Sequence, residues 1–159
     1  MDKLKIYIDT SVIGGCFDYE FIDISNRLIE TFKNGLFIPV VSDTVKKEIK
    51  NAPSLVRTKY DEILTYNAIY LNKSNKAKNL VGEYLNKKIV TKKYEDDCYH
   101  IALATVNKID VLVSWNFKHI VNEQKVLLFN FVNKSLNYDE IVIKDPKDFL
   151  GFDKYKLKQ

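Results

Sequence analysis

Five short apolar runs, each separated from the next by segments with helical spacing, limit this chain more than any other feature. The runs occupy residues 4–8, 36–41, 68–71, 111–115 and 140–143. Between them, apolar residues recur at three- and four-residue intervals. This predicts helices over 21–32, from Ser42 or Asp43 to Lys50, and over 53–66, 74–88, 94–108 and 126–136. Gly35 reads as a helix stop and Pro39 as a bend late in the second strand. The run Val111-Leu112-Val113 does not alternate, so that strand is expected to be covered on both faces. Strands alternating with helices predict an α/β fold in three layers, α/β/α, around a central parallel sheet of five strands. Ligands of such sheets bind at the carboxyl ends of the strands, near the switch in strand order. Chemistry is therefore sought there.

The chain has 159 residues, enough for one domain, and 46% of them are apolar, enough for a packed core. No apolar run approaches the roughly 18 residues of a membrane span. Met1-Asp2-Lys3 leads straight into the first strand run without the long apolar stretch of a signal peptide. Cys16 and Cys98 are the only cysteines, too few for a disulfide framework and outside any metal-binding spacing. They read as small core residues, and the expected location is a reducing cytoplasm. The net charge of +4 permits a polyanionic partner. Its distribution says more: seven lysines (73, 76, 78, 87, 88, 92 and 93) face one acid, Glu83, across residues 73–93. That stretch is either a solvated face or a grip on phosphates. In the second case Lys87, Lys88, Lys92 and Lys93 are its candidate phosphate-binding residues.

Asp9 follows the first strand run, where a carboxylate points into the crevice. Glu48 lies on the helix after the second run. Glu95-Asp96-Asp97 opens the helix that precedes the fourth run, and three acids in a row exceed what capping a helix needs. Asn116 ends the fourth run in Ser114-Trp115-Asn116. Each has an ordinary alternative as a cap, a turn residue or an exposed helix position. Together they deliver carboxylates to one crevice. Clustered carboxylates repel unless a cation neutralises them, and an all-oxygen donor set suits Mg²⁺ or Mn²⁺ rather than zinc. A metal so held activates water and stabilises a transferring phosphoryl group. His100 reads as a half-buried helix residue without a nucleophile partner. His119, after the Asn116 turn, reads first as an ordinary loop residue, with contact to a phosphate as the alternative.

The stretches Ile6-Tyr7-Ile8-Asp9-Thr10-Ser11, Ser42-Asp43-Thr44-Val45-Lys46-Lys47-Glu48, Asp97-Cys98-Tyr99-His100-Ile101-Ala102 and Val111-Leu112-Val113-Ser114-Trp115-Asn116 resemble, in order and spacing, the PIN-domain ribonucleases. That family includes the toxins of type II toxin–antitoxin pairs. The resemblance covers about residues 4–145 and leaves a short C-terminal tail, so residues 1–159 are read as a single PIN-like domain. It implies strand order 3-2-1-4-5 and Mg²⁺- or Mn²⁺-dependent hydrolysis of RNA. It carries the metal-binding acids onto Asp9, Glu48 and Asp97, with Asn116 as a fourth catalytic position and Asp96, Ser11 and His119 as auxiliaries. It further implies an RNA substrate, a cognate antitoxin protein and a homodimer as partners, and no membrane. Asn116 departs from the commoner aspartate, which removes one charge from any second metal site.

Other folds with an acid after the first strand fit less well. A dehalogenase-like phosphatase needs a second Asp where Ser11 stands, and a receiver domain needs a phosphoacceptor Asp where Leu71-Asn72 offers none. Gly14-Gly15 lacks the Gly-Lys-Ser/Thr ending of a phosphate-binding loop. The remaining alternative is a non-catalytic module that binds RNA or a protein partner on the same scaffold.

Overall fold

The computed structural model describes residues 2–151. Five strands, β1 (Lys5–Ile8), β2 (Ile38–Ser42), β3 (Ile69–Leu71), β4 (Val111–Val113) and β5 (Val142–Lys144), form one sheet in the order β3-β2-β1-β4-β5. Every pairing is parallel. The order reverses at β1, so the crevice beside its carboxyl end is the switch point. As the central strand, β1 buries Ile6, Tyr7 and Ile8 completely.

Among the described residues, seven α-helices lie between strands and an eighth follows β5: α1 (Thr10–Gly15), α2 (Ile22–Lys33), α3 (Asp43–Ile49), α4 (Ser54–Leu64), α5 (Asn75–Asn86), α6 (Glu95–Val106), α7 (Glu123–Ser135) and α8 (Pro146–Leu150). One group of contacting helices comprises α1, α2, α4 and α8; the other comprises α5, α6 and α7, and α3 touches both α4 and α6. A three-layer α/β/α domain results, and α3 and α6 meet over the β1 end of the sheet. No helix among the described residues is long and apolar enough to cross a membrane. Both cysteines are buried and free, and burial pushes the Cys98 thiol up to about 12.

Side-chain hydrogen bonds explain where the elements depart from the sequence reading. β4 stops at Val113 because the Trp115 N–H donates to Ser11 Oγ rather than to a neighbouring strand. β5 starts at Val142 because the N–H and C=O of Ile141 are both taken by the buried Asn130 amide. α7 begins three residues earlier than its apolar spacing indicates, since Asn122 caps it by accepting the Lys125 N–H at 3.1 Å. α8 falls in the stretch expected to be a tail. Asp145 caps it, Pro146 opens it and Gly151, at φ 73°, ends it. α8 packs on α2, with Phe149 5.2 Å from the Phe37 ring. The remainder of the expected tail, 152–159, lies outside the described residues.

Candidate active site

Asp9 leaves β1 at the switch point and is almost fully buried, 4% exposed. It caps α1, and its two oxygens are held from different directions. Oδ1 accepts from the Ser11 hydroxyl at 2.6 Å and from the Val12 N–H at 3.3 Å. Oδ2 accepts from the Ser114 hydroxyl at 2.7 Å. Ser11 in turn accepts the Trp115 N–H, and Ser114 the Asn116 N–H, both at 2.9 Å. The ends of β1 and β4 are thus stitched together through the carboxylate. Burial raises the Asp9 pKa above its ordinary value; His100, Ser11 and Ser114 pull it back, while Glu48 pushes it further up.

Glu48 projects from α3 toward the same edge. Its Oε1 accepts from the Thr10 hydroxyl at 2.7 Å and meets His100 Nε2 at 2.8 Å. Burial alone would raise the Glu48 pKa, but the His100 contact, with Thr10 and Lys47, brings it below the ordinary value. His100 is 1% exposed, on the inner face of α6. Its Nδ1 lies 2.6 Å from the Tyr7 hydroxyl, which lies 2.6 Å from Ser42 Oγ. Desolvation opposes charge on this ring, yet Glu48, then Asp9 and Asp97, raise its pKa overall. Of the three acids, Glu48 alone contacts this buried imidazole. Its hydrogen bonds serve both protonation states, because the Tyr7 hydroxyl can donate to neutral Nδ1 or accept from protonated Nδ1 and donate to Ser42.

Asp97, in the first turn of α6, pairs through Oδ2 with His119 Nδ1 at 2.9 Å. The His119 ring lies 4.0 Å from that of Tyr94, and Lys93 and Lys118 stand over the Tyr94 ring at 5.6 and 5.8 Å. Asp96 points away to Lys47 on α3, an exposed pair at 2.8 Å. Asn116 turns its amide oxygen back on its own loop, where it accepts the N–H groups of Lys118 and His119 at 3.2 and 3.0 Å. Its visible task is to shape the turn that presents His119. Lys87, Lys88, Lys92 and Lys93 are exposed on the segment between α5 and α6.

The donors at this edge are carboxylate oxygens, which suit Mg²⁺ or Mn²⁺. Among the described residues, no group of three or more His, Cys, Asp or Glu side chains forms a ready-made metal cage. One or two carboxylates at this edge would suit Mg²⁺ only with waters and substrate phosphate supplying the other ligands. Asn116→Asp separates the two tasks of that position. A carboxylate can accept the same two N–H groups, so the fold should be retained. If residue 116 also faces the metal, the added charge should tighten Mn²⁺ binding by about tenfold or more. Calorimetry reads this directly, and equal affinity in both proteins would confine Asn116 to the turn.

The sequence reading missed His100 as the hub of the site, along with Tyr7, Ser114 and Thr10. Two signals were available. Asp97 and His100 are three residues apart and share a helix face, and Tyr7 places a hydroxyl inside an otherwise apolar central strand.

No known family profile matches the chain, and no curated protein matches it. Among solved structures, the chain is similar to VapBC2 from Rickettsia felis, a structure bound to a DNA fragment from their promoter. The similarity has a TM-score of 0.55 at 16% identity, over 89% of this chain and 98% of that one. At this identity the likeness is one of fold: a three-layer α/β/α domain around a five-stranded parallel sheet.

Proposed function

We propose that this PIN-like domain is a divalent-metal-dependent endoribonuclease of the toxin type. What supports the reading is a pair of acids at the carboxyl edge of the sheet: buried Asp9, held by Ser11 and Ser114, and Glu48, held by Thr10 and His100. Asp9 would hold Mg²⁺ or Mn²⁺ together with Glu48 or Asp97. When bound, the ion supplies an activated water and neutralises charge on the phosphoryl group. The chain's own residues orient these groups. Ser11 and Ser114 fix the Asp9 carboxylate from two sides, His100 and Thr10 hold Glu48 by one oxygen, and His119 holds Asp97. Outer hydrogen bonds of this kind typically matter about 10–100-fold for metal affinity or activity.

The substrate class follows from charge and access. Single-stranded or loop RNA exposes base edges that an A-form duplex hides. The lysine-rich segment reaches the site at Lys93, over the ring that touches His119. Replacing Lys87, Lys88, Lys92 and Lys93 with Ala should flatten the dependence of log affinity on log salt, by roughly 0.7 for each phosphate that is no longer neutralised. Filter binding across a salt series measures it, and an unchanged slope assigns these lysines to solvation.

The likeness to VapBC2 supports a protein antitoxin as partner and a cytoplasmic setting. The decisive experiment is RNA cleavage by the purified chain with Mg²⁺ or Mn²⁺ and with EDTA. Cleavage that EDTA abolishes is expected; cleavage unaffected by EDTA would end the metal mechanism. A second reading, a binding module without catalysis, is favoured by one observation: hydrogen-bond donors already engage each of the three acids. RNA binding without cleavage under any metal would establish it.

A further inference from the structure

Beside Asp9 the fold leaves a cavity of about 540 Å³ walled by Phe17, Phe21, Leu55, Val56 and Trp115. Ser11 belongs to its lining and also donates to Asp9 Oδ1, so the cavity and the acidic edge share a residue. Phe17 and Leu55 stand at its rim, 41% and 63% exposed. Trp115 is fixed from three directions. Its backbone N–H goes to Ser11, its indole N–H donates to Ser25 Oγ at 2.8 Å, and its ring stacks on Phe21 at 4.1 Å and 18°. Gly15 permits this approach, since a Cβ there would stand 2.5 Å from Ser25 Oγ and 2.9 Å from Trp115 Nε1. An aromatic surface held this firmly loses little freedom when something stacks on it.

The lining contains no lysine or arginine, and Asp18 is its one charged residue. The cavity therefore suits a flat uncharged group rather than a phosphate. An RNA whose phosphodiester lies at Asp9 carries such a group one nucleotide away. We propose that this groove takes one unpaired base of the substrate, packed against the Trp115 wall and covered at the rim by Phe17 and Leu55. The assignment rests on the RNA-cleaving reading above and adds a base subsite to it. Base–aromatic stacking tolerates any base, so the subsite sets where the strand lies more than which sequence is chosen. An apolar side chain of a protein partner is the competing occupant. The wall shared with Asp9 favours the substrate.

Trp115 is the only tryptophan of the chain, so its fluorescence reports the groove without needing cleavage. The test mixes the protein rapidly, in Mg²⁺, with a short single-stranded oligoribonucleotide or with the same sugar–phosphate chain lacking bases. Quenching by the first and little by the second is expected, before any cleavage occurs. Phe17→Ala should weaken the quench-derived affinity for the base-bearing strand by about tenfold, the effect of part of one stack, and leave affinity for the abasic strand unchanged. Equal quenching by both strands, or by neither, overturns the proposal, and the second outcome hands the groove to a protein partner. Base-dependent quenching without cleavage would uphold the subsite while overturning the nuclease reading.

Discussion

Asp9→Asn should abolish RNA cleavage and at the same time raise the melting temperature of the metal-free protein. The first effect follows from the proposed loss of a metal-binding carboxylate. Metal stabilisation of transition-state charge is worth several kcal/mol, so activity should fall on the order of a thousandfold. The second follows from burial. Asp9 is enclosed, and desolvation is the largest influence on its raised pKa. The unfolded chain ionises this group near its ordinary value of 3.8, before the folded chain does. Between those two points the unfolded state binds fewer protons, so stability is lost as pH rises, and the loss persists at neutral pH. An amide carries no such cost and can still receive the Ser11 and Val12 donors, while the Ser114 hydroxyl can rotate to accept. Thermal melts in EDTA should show the variant above the wild type at about pH 7.5, with the gap closing below about pH 4. A lower melting temperature at neutral pH would mean that the carboxylate's hydrogen bonds outweigh its desolvation.

The second large effect is expected at His100. His100→Leu removes one of two partners of Glu48 Oε1 and one of two partners of the buried Tyr7 hydroxyl in one step. Breaking a buried pair costs about 3–5 kcal/mol. The Glu48 side chain is 30% exposed, which reduces the expected loss to about 2–3 kcal/mol. The pH dependence has a definite sign. The His100 pKa is raised in the fold, so its charge contributes full stability below the ordinary 6.5, and that contribution is lost as pH rises through the folded value. The Glu48 pKa is lowered, so its contribution is full above the ordinary 4.5 and lost as pH falls through the folded value. Both are complete between 4.5 and 6.5. Urea unfolding in chelator should therefore separate wild type from variant more at about pH 5.5 than at about pH 9. Equal separations would show that His100 acts only through packing and neutral hydrogen bonds.

The residues most legible in the sequence were those whose role depends on their immediate neighbours. β1, β2 and β3 were found because each is a short apolar run beside a turn, and α6 because its apolar residues recur at helical spacing. α1 was not found. Its six residues end in Gly14-Gly15, poor helix formers, and what holds it is the Asp9 cap and its packing on α2 and α4. Gly15 reads locally as a weak point. Only the Trp115 side chain, arriving from the end of β4, explains why a larger residue does not fit. The acids were visible for the same reason as the strands, since Asp9 ends a run and Asp97 opens a helix. Their partners were not. Glu48 meets His100 across 52 residues and Asp9 meets Ser114 across 105, and no local pattern encodes such pairings.

Those separations also bear on how activity would first appear as the chain is made. The central strand precedes β4 in the chain by about a hundred residues, yet its carboxylate is held by Ser114, and Asp97 is held by His119. β1 and β4 pair across more than a hundred residues, and closure of such long loops slows folding. A nascent chain holding only the first two acids has no β4 and no α6 to frame them. The edge proposed to bind metal is therefore complete only once the fourth strand has docked.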